Sequence, residues 1–121
     1  MGRFERGDLP ERSFQFALRV LDLVKTIPDG TIGWLVGKQL TRSGTSIGAN
    51  VAEADGALTN AEFASICNIA RREAAETRYW LRISQHLGYV DLAHGDDLLT
   101  ESSELHDVLA TIVRKTHKQT R

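Results

Sequence analysis

The chain has 121 residues, 41% of them hydrophobic and only two of them proline, which is enough apolar material for one packed core and too few breakers for disorder. Its 15 basic and 16 acidic side chains leave a formal net charge of −1, which argues against the strongly positive field of a generic nucleic-acid binder. One cysteine, Cys67, excludes an internal disulfide, and no apolar leader or run of about 20 apolar residues is present, so a cytoplasmic chain with no membrane span is expected.

The first periodic segment opens with Asp8 and Glu11 in capping-box spacing, and Pro10 is acceptable in a first turn. Phe14, Leu18, Leu21 and Val24 form one apolar stripe; Phe16, Val20, Leu23 and Ile27 form a second. A helix over 9–27 that is apolar on two faces needs two neighbours. Pro28, Asp29 and Gly30 end it, and Thr31 is placed to cap the next.

The segment "RSGTSIGANVAEA" poses a choice between a phosphate-cradling loop and a helix. Ile32, Val36, Leu40, Ser43, Ile47, Val51, Ala54 and Leu58 recur at steps of four and three straight through the glycines, so the spacing predicts a helix over 31–57. A phosphate loop would need a preceding strand and a Lys-Ser or Lys-Thr after its last glycine, and neither is present. Gly33, Gly37, Gly44, Gly48 and Ala52 share an adjacent face. Each interior glycine costs about 1 kcal/mol against alanine, so the face implies close approach of another helix, tightest at Gly44 and Gly48.

Thr59 and Glu62 form a second capping box. Phe63, Cys67, Ala70, Ala74, Thr77, Leu81 and Ser84 then repeat at four and three, flanked by Ile66, Ile69, Trp80, Ile83 and Leu87, and predict a helix over 60–88. Leu98, Ser102, Leu105, Leu109 and Ile112, with Val108 and Val113, predict a fourth helix over 96–117. Short connections between long helices imply an all-α, antiparallel up-down-up-down four-helix bundle, one domain over 1–121.

Charge within this pattern is uneven. Six acids and no Lys or Arg fall in residues 91–107, and Arg114, Lys115, Lys118 and Arg121 follow with no acid, an order that complements the dipole of a last helix. Gln39, Ser46, Asn50 and Glu53 flank the buried stripe of the second helix, with Arg42 nearby. Glu73 falls inside the apolar arc of the third helix, and Glu76 sits at its edge. A buried carboxylate needs a partner, and a hairpin turning near residue 58 brings Arg42 level with Glu73 and Glu76, so an ion pair there is expected. Arg71, Arg78 and Arg82 share an outward sector of the third helix, with Arg72 able to pair with Glu76 at i+4. With Arg114, Lys115 and Lys118 they are the candidate nucleic-acid contacts.

Catalytic chemistry finds little support. A bundle metal site asks for Glu-x-x-His on two helices, and no glutamate is followed three places on by histidine. His86, His94, His106 and His117 show no i, i+4 pairing suited to zinc. Cys67 lies in the core stripe as a small apolar filler, and Ser43 and Ser46 lack the strand-turn-helix setting of a nucleophile elbow. No metal, cofactor or catalytic residue is expected.

Three blocks carry a resemblance: "DLPERSFQFALRVLDLV", "QLTRSGTSIGANVAEA" and "IARREAAETRYWLR". In order and spacing they resemble the signature blocks of the 23S ribosomal RNA intervening-sequence protein family over residues 8–90. The resemblance implies an antiparallel four-helix bundle assembled into a ring-like homo-oligomer, often a pentamer, with no established catalysis. Some members are encoded within ribosomal RNA intervening sequences, and a similar, strongly basic protein is the accessory factor of diversity-generating retroelements. Ser43, Ser46, Ile47, Asn50, Glu53, Glu73, Glu76 and Trp80 match signature positions and are, by this resemblance, packing and polar-network residues. The expected function is a non-enzymatic homo-oligomeric scaffold or adaptor. The alternative is an accessory protein for RNA or DNA, using Arg71, Arg78, Arg82 and the basic tail.

Overall fold

The computed structural model describes residues 2–4 and 8–119. Among these are four helices and no strand: α1 (Asp8–Val24), α2 (Thr31–Asp55), α3 (Asn60–His86) and α4 (Leu92–Gln119). Cross-helix pairings fix their directions. Gly48 lies against Ser13 and Gly37 against Val24, so α1 and α2 run antiparallel. Arg71 reaches His106, Arg78 reaches Ser103 and Gln85 reaches Asp96, so α3 and α4 do the same. Each helix packs on its chain neighbour, α1 and α4 touch more lightly, and diagonal helices do not meet.

The core is the set that the period of four and three selects. Phe16 and Val20 of α1, Leu40, Ile47 and Val51 of α2, Cys67 and Leu81 of α3, and Leu105 and Leu109 of α4 are all buried. Fully burying one such leucine or isoleucine is worth about 1.5–3 kcal/mol, several times an exposed ion pair. Packing, rather than charge, therefore holds the bundle. Of the stripe residues, Ile32 lies in the first turn of α2 and Leu58 falls beyond its end, in the turn to α3, and they are 58% and 88% exposed.

Helix ends depart from expectation in several places: α2 and α3 stop two residues early, at Asp55 and His86, α4 runs two further, to Gln119, and four more departures have a visible cause. Asp8 is already helical rather than a cap, and with Glu11 it places two carboxylates in the first turn, where the helix dipole favours them. α1 stops at Val24, where Thr26 Oγ1 donates to the Leu23 carbonyl at 2.8 Å and closes the turn. Thr31 is likewise the first residue of α2; Gly30, at φ 129°, takes the N-cap position and accepts from Trp34 N–H at 2.8 Å. α4 starts at Leu92, not 96, because the Asp91 carboxylate accepts the His94 N–H at 2.8 Å and caps the helix four residues early. Its first turn therefore holds no acid.

The other boundaries follow their chemistry. Thr59 Oγ1 accepts the Glu62 N–H at 3.1 Å and caps α3. After α3, Gly88 adopts φ 77° while Tyr89 N–H donates to the Ser84 carbonyl at 2.9 Å. That pattern satisfies the last carbonyls and favours glycine at the left-handed position.

The small-residue face of α2 receives α1. A Cβ on Gly44 would lie 2.8 Å from Val20 Cγ1, and one on Gly48 would lie 3.3 Å from the Ser13 carbonyl oxygen. Against α1 itself these two glycines are the closest of the face; Gly33 is tighter still, but against the turn, its Cβ standing 2.0 Å from the Pro28 carbonyl oxygen. The turn that follows α1 is pressed onto the first turn of α2 there. Ala52 is exposed and lies off the contact.

Candidate functional site

On the α2–α3 seam, Arg42 donates from Nη1 to Glu73 Oε2 at 3.0 Å and from Nη2 to Glu76 Oε2. The indole N–H of Trp80 donates to the same Glu76 oxygen at 3.2 Å. Glu73 is the more shielded carboxylate, its side chain 17% exposed against 46% for Arg42. The hydrogen bond to Glu76, with the nearby carboxylates, raises the Arg42 pKa above its usual value. Because Glu76 is occupied by Arg42, Arg72 does not pair with it, and Arg72 is exposed.

The signature residues of α2 behave differently from a cross-helix polar network. Ser43 Oγ donates to the Gln39 carbonyl at 2.7 Å, Ser46 Oγ to the Arg42 carbonyl at 2.6 Å and Asn50 Nδ2 to the Ser46 carbonyl at 2.8 Å. Each closes on its own helix, since short polar side chains reach the carbonyl four residues back more readily than a neighbouring helix. Ile47 is buried in the core. Glu53 is exposed and makes no ion pair among the described residues. No buried side-chain nitrogen or oxygen among the described residues lacks a partner.

The arginines of α3 turn toward α4 rather than straight outward. Arg71 is half-buried, with Nε on Asn68 Oδ1 at 2.8 Å and Nη1 3.4 Å from His106 Nε2. Arg78 Nε donates to Ser103 Oγ at 2.8 Å, while Arg82 is exposed. Between α3 and α4 lies a cleft of about 330 Å³, with Ala74, Ala75 and Tyr79 along it and Arg78 and Arg82 at its edge. Arg114, Lys115 and Lys118 are exposed near the end of α4, away from this cleft. Arg121 lies outside the described residues.

Two features carry no local sequence signal. Arg12 forms a two-pronged contact with Glu101, both distances 2.7 Å, and a further bond to Glu104 at 3.0 Å, joining α1 to α4. Those bonds hold the Arg12 guanidinium pKa well above its ordinary value. Trp34 is 64% exposed on α2, with Lys38 Nζ 4.9 Å from its ring centre. It borders a groove of about 650 Å³ whose floor includes Gly33 and Gly37.

The two apolar stripes of α1 have different fates. Phe16, Val20 and Leu23 are buried, whereas Phe14 is 54% and Leu18 41% exposed. α2 and, more lightly, α4 pack on α1, and Val24 reaches the core, but Phe14 and Leu18 are covered by neither helix. Cys67 is fully enclosed, and burial pushes its thiol pKa up to about 11, the opposite of nucleophile activation. Among the described residues, no three His, Cys, Asp or Glu side chains are grouped to hold a metal ion, and no helix is long and apolar enough to cross a membrane.

The family model described as 23S rRNA-intervening sequence protein matches residues 7–111. A crystal structure from Bacteroides thetaiotaomicron, described as a protein with unknown function from the S23 ribosomal protein family, is 35% identical to this chain. That match covers 87% of this chain and 97% of the other, with a TM-score of 0.80. No curated protein matches the chain.

Proposed function

The chain belongs to the 23S rRNA-intervening sequence protein family, and we propose that it serves as a non-enzymatic, self-associating helical scaffold in the cytoplasm. The observation that carries this reading is the first apolar stripe of α1, where Phe14 and Leu18 stand side by side at i, i+4 and open to solvent. Exposed apolar side chains grouped on one face mark interaction surfaces. A second copy is the partner always present at matched concentration, and closed rings are the usual outcome of such contacts. The five-copy ring expected from the resemblance is one such closure.

The test is the pair of substitutions Phe14→Gln and Leu18→Gln. Neither side chain fills the core, so helicity stays and the assembled mass falls. Unchanged mass removes the surface from the account. A nucleic-acid accessory role would rest on Arg78 and Arg82, which are exposed beside Tyr79, and would show as binding that weakens steeply with salt.

A further inference from the structure

The self-association reading leaves open which face meets which, and charge separates the candidates. The solvent face of α1 carries Asp8, Glu11 and Asp22 around Phe14 and Leu18, all exposed, and these three acids outnumber the two exposed cations beside them, Arg19 and Lys25. Its carboxylates are held only by surface contacts: Gln15 donates to Glu11 at 2.9 Å, and Lys25 stands 3.7 Å from Asp22. The solvent face of α3 has the opposite sign. Arg78 and Arg82 are exposed on its α4 side at a step of four, and no ion pair among the described residues neutralises them. Glu73 and Glu76, the nearest carboxylates on α3, are already taken by Arg42.

Shape agrees with charge. The α3–α4 cleft of about 330 Å³ has the small side chains of Ala74 and Ala75 and the ring of Tyr79 along it, with guanidiniums at its edge and one carboxylate, Asp107, also lining it. Phe14 is an apolar knob flanked by carboxylates; the cleft sets those small and aromatic side chains beside Arg78 and Arg82 on its α3 wall, and Ser102, Ser103, His106 and Asp107 on its α4 wall. A knob on one face and a socket on another make a heterologous contact, which repeats from copy to copy until it closes into a ring or extends as a filament. Aromatic pairs such as Phe14 with Tyr79 add about 0.5–1.5 kcal/mol beyond area burial, and opposed charges at the rim fix register and reject the reversed docking.

We propose that the α1 face of one copy, led by Phe14 and its carboxylates, docks in the arginine-edged α3–α4 cleft of a second copy of this chain. The proposal rests on the self-association reading and names its two surfaces.

Charge reversal tests it. One variant carries Asp8→Lys, Glu11→Lys and Asp22→Lys; the other carries Arg78→Glu and Arg82→Glu. Each alone presents like charges to itself and falls to the 13.4 kDa monomer by light scattering, with helical circular dichroism retained. Mixed in equal amounts, each supplies the face that the other repels, and high mass returns. A variant that keeps the wild-type mass, or a mixture that stays monomeric, overturns the proposal. Should either variant lose its helical signal, Phe14→Gln alone decides: loss of mass supports the docking and wild-type mass overturns it. A wild-type chain that is itself monomeric defeats the self-association reading instead, and nucleic acid stripped by the arginine reversal at constant mass assigns the cleft to phosphate.

Discussion

Val20 occupies the space that any side chain on Gly44 would need: a Cβ there would lie 2.8 Å from Val20 Cγ1 and 3.2 Å from both Cβ and Cγ2. Val20 is fully buried and β-branched, so it has no free rotamer to retreat into. Gly44→Ala therefore gains up to about 1 kcal/mol of helix propensity and loses about 1–3 kcal/mol to overpacking. Net destabilisation of about 1 kcal/mol, the middle of the overpacking range less the full propensity gain, is expected in chemical denaturation. Gly37 is the control, since its Cβ would meet Val24 Cγ1 at an ordinary 3.6 Å. Gly37→Ala should stabilise the fold by up to about 1 kcal/mol.

Arg42 is shared between Glu73 and Glu76, and Trp80 depends on the latter. Removing the guanidinium leaves the shielded Glu73 without its cation. Arg42→Ala should cost about 1 kcal/mol, at the upper end for partly exposed pairs. Arg42→Lys should recover only part of it, because an ammonium cannot fork to two carboxylates as a guanidinium does. Trp80 emission should shift in Glu76→Ala, where the indole N–H loses its acceptor; unchanged emission would show that this bond does not persist in solution.

The start of α4 should respond to pH through Asp91 and His94. Hydrogen bonding to the Asp91 carboxylate raises the His94 pKa above its ordinary 6.5, while the His94 backbone N–H is the main cause that lowers the Asp91 pKa below 3.8. The contribution of His94 is fully present below pH 6.5 and is lost as pH rises through its raised folded value. That of Asp91 is present above pH 3.8 and is lost as pH falls through its lowered value. Helix-end stability should thus be greatest between about pH 4 and 6.5 and decline above it. In His94→Ala the upper decline should disappear while the lower one remains, as thermal melts across pH would show.

Cys67 is enclosed, with its thiol pKa pushed up to about 11. Disulfide-exchange reagents should label it only on unfolding, so labelling should rise along the denaturation curve rather than before it. Early labelling would show that the α3 stripe opens locally. Cys67→Ser, which places a hydroxyl in an apolar site, should destabilise by about 1–3 kcal/mol.

Much of this was legible in the sequence because helical period and core burial are the same fact seen twice: Leu40, Ile47, Cys67 and Leu81 fall on the stripe and in the core. The ion pair of Arg42 was legible because the Thr59 cap places the hairpin turn and hence the register. Arg12–Glu101 was not, since it spans 89 residues and no local pattern ties them. Nor was the early start of α4, where glycines and acids obscured Asp91 as the cap. Ser43, Ser46 and Asn50 misled in a different way. Polar residues beside a buried stripe look like a cross-helix network, yet their short side chains are satisfied within α2. The two stripes of α1 were visible as pattern; that Phe14 and Leu18 stay uncovered became visible only once the other three helices were in place.

The central claim is self-association through the uncovered stripe of α1, and the most direct measurement is light-scattering mass of the wild-type chain across a dilution series at low and high salt. The account predicts a mass several times 13.4 kDa that persists in high salt, with an absorbance ratio free of nucleic acid. A folded monomer of 13.4 kDa at every concentration would contradict it.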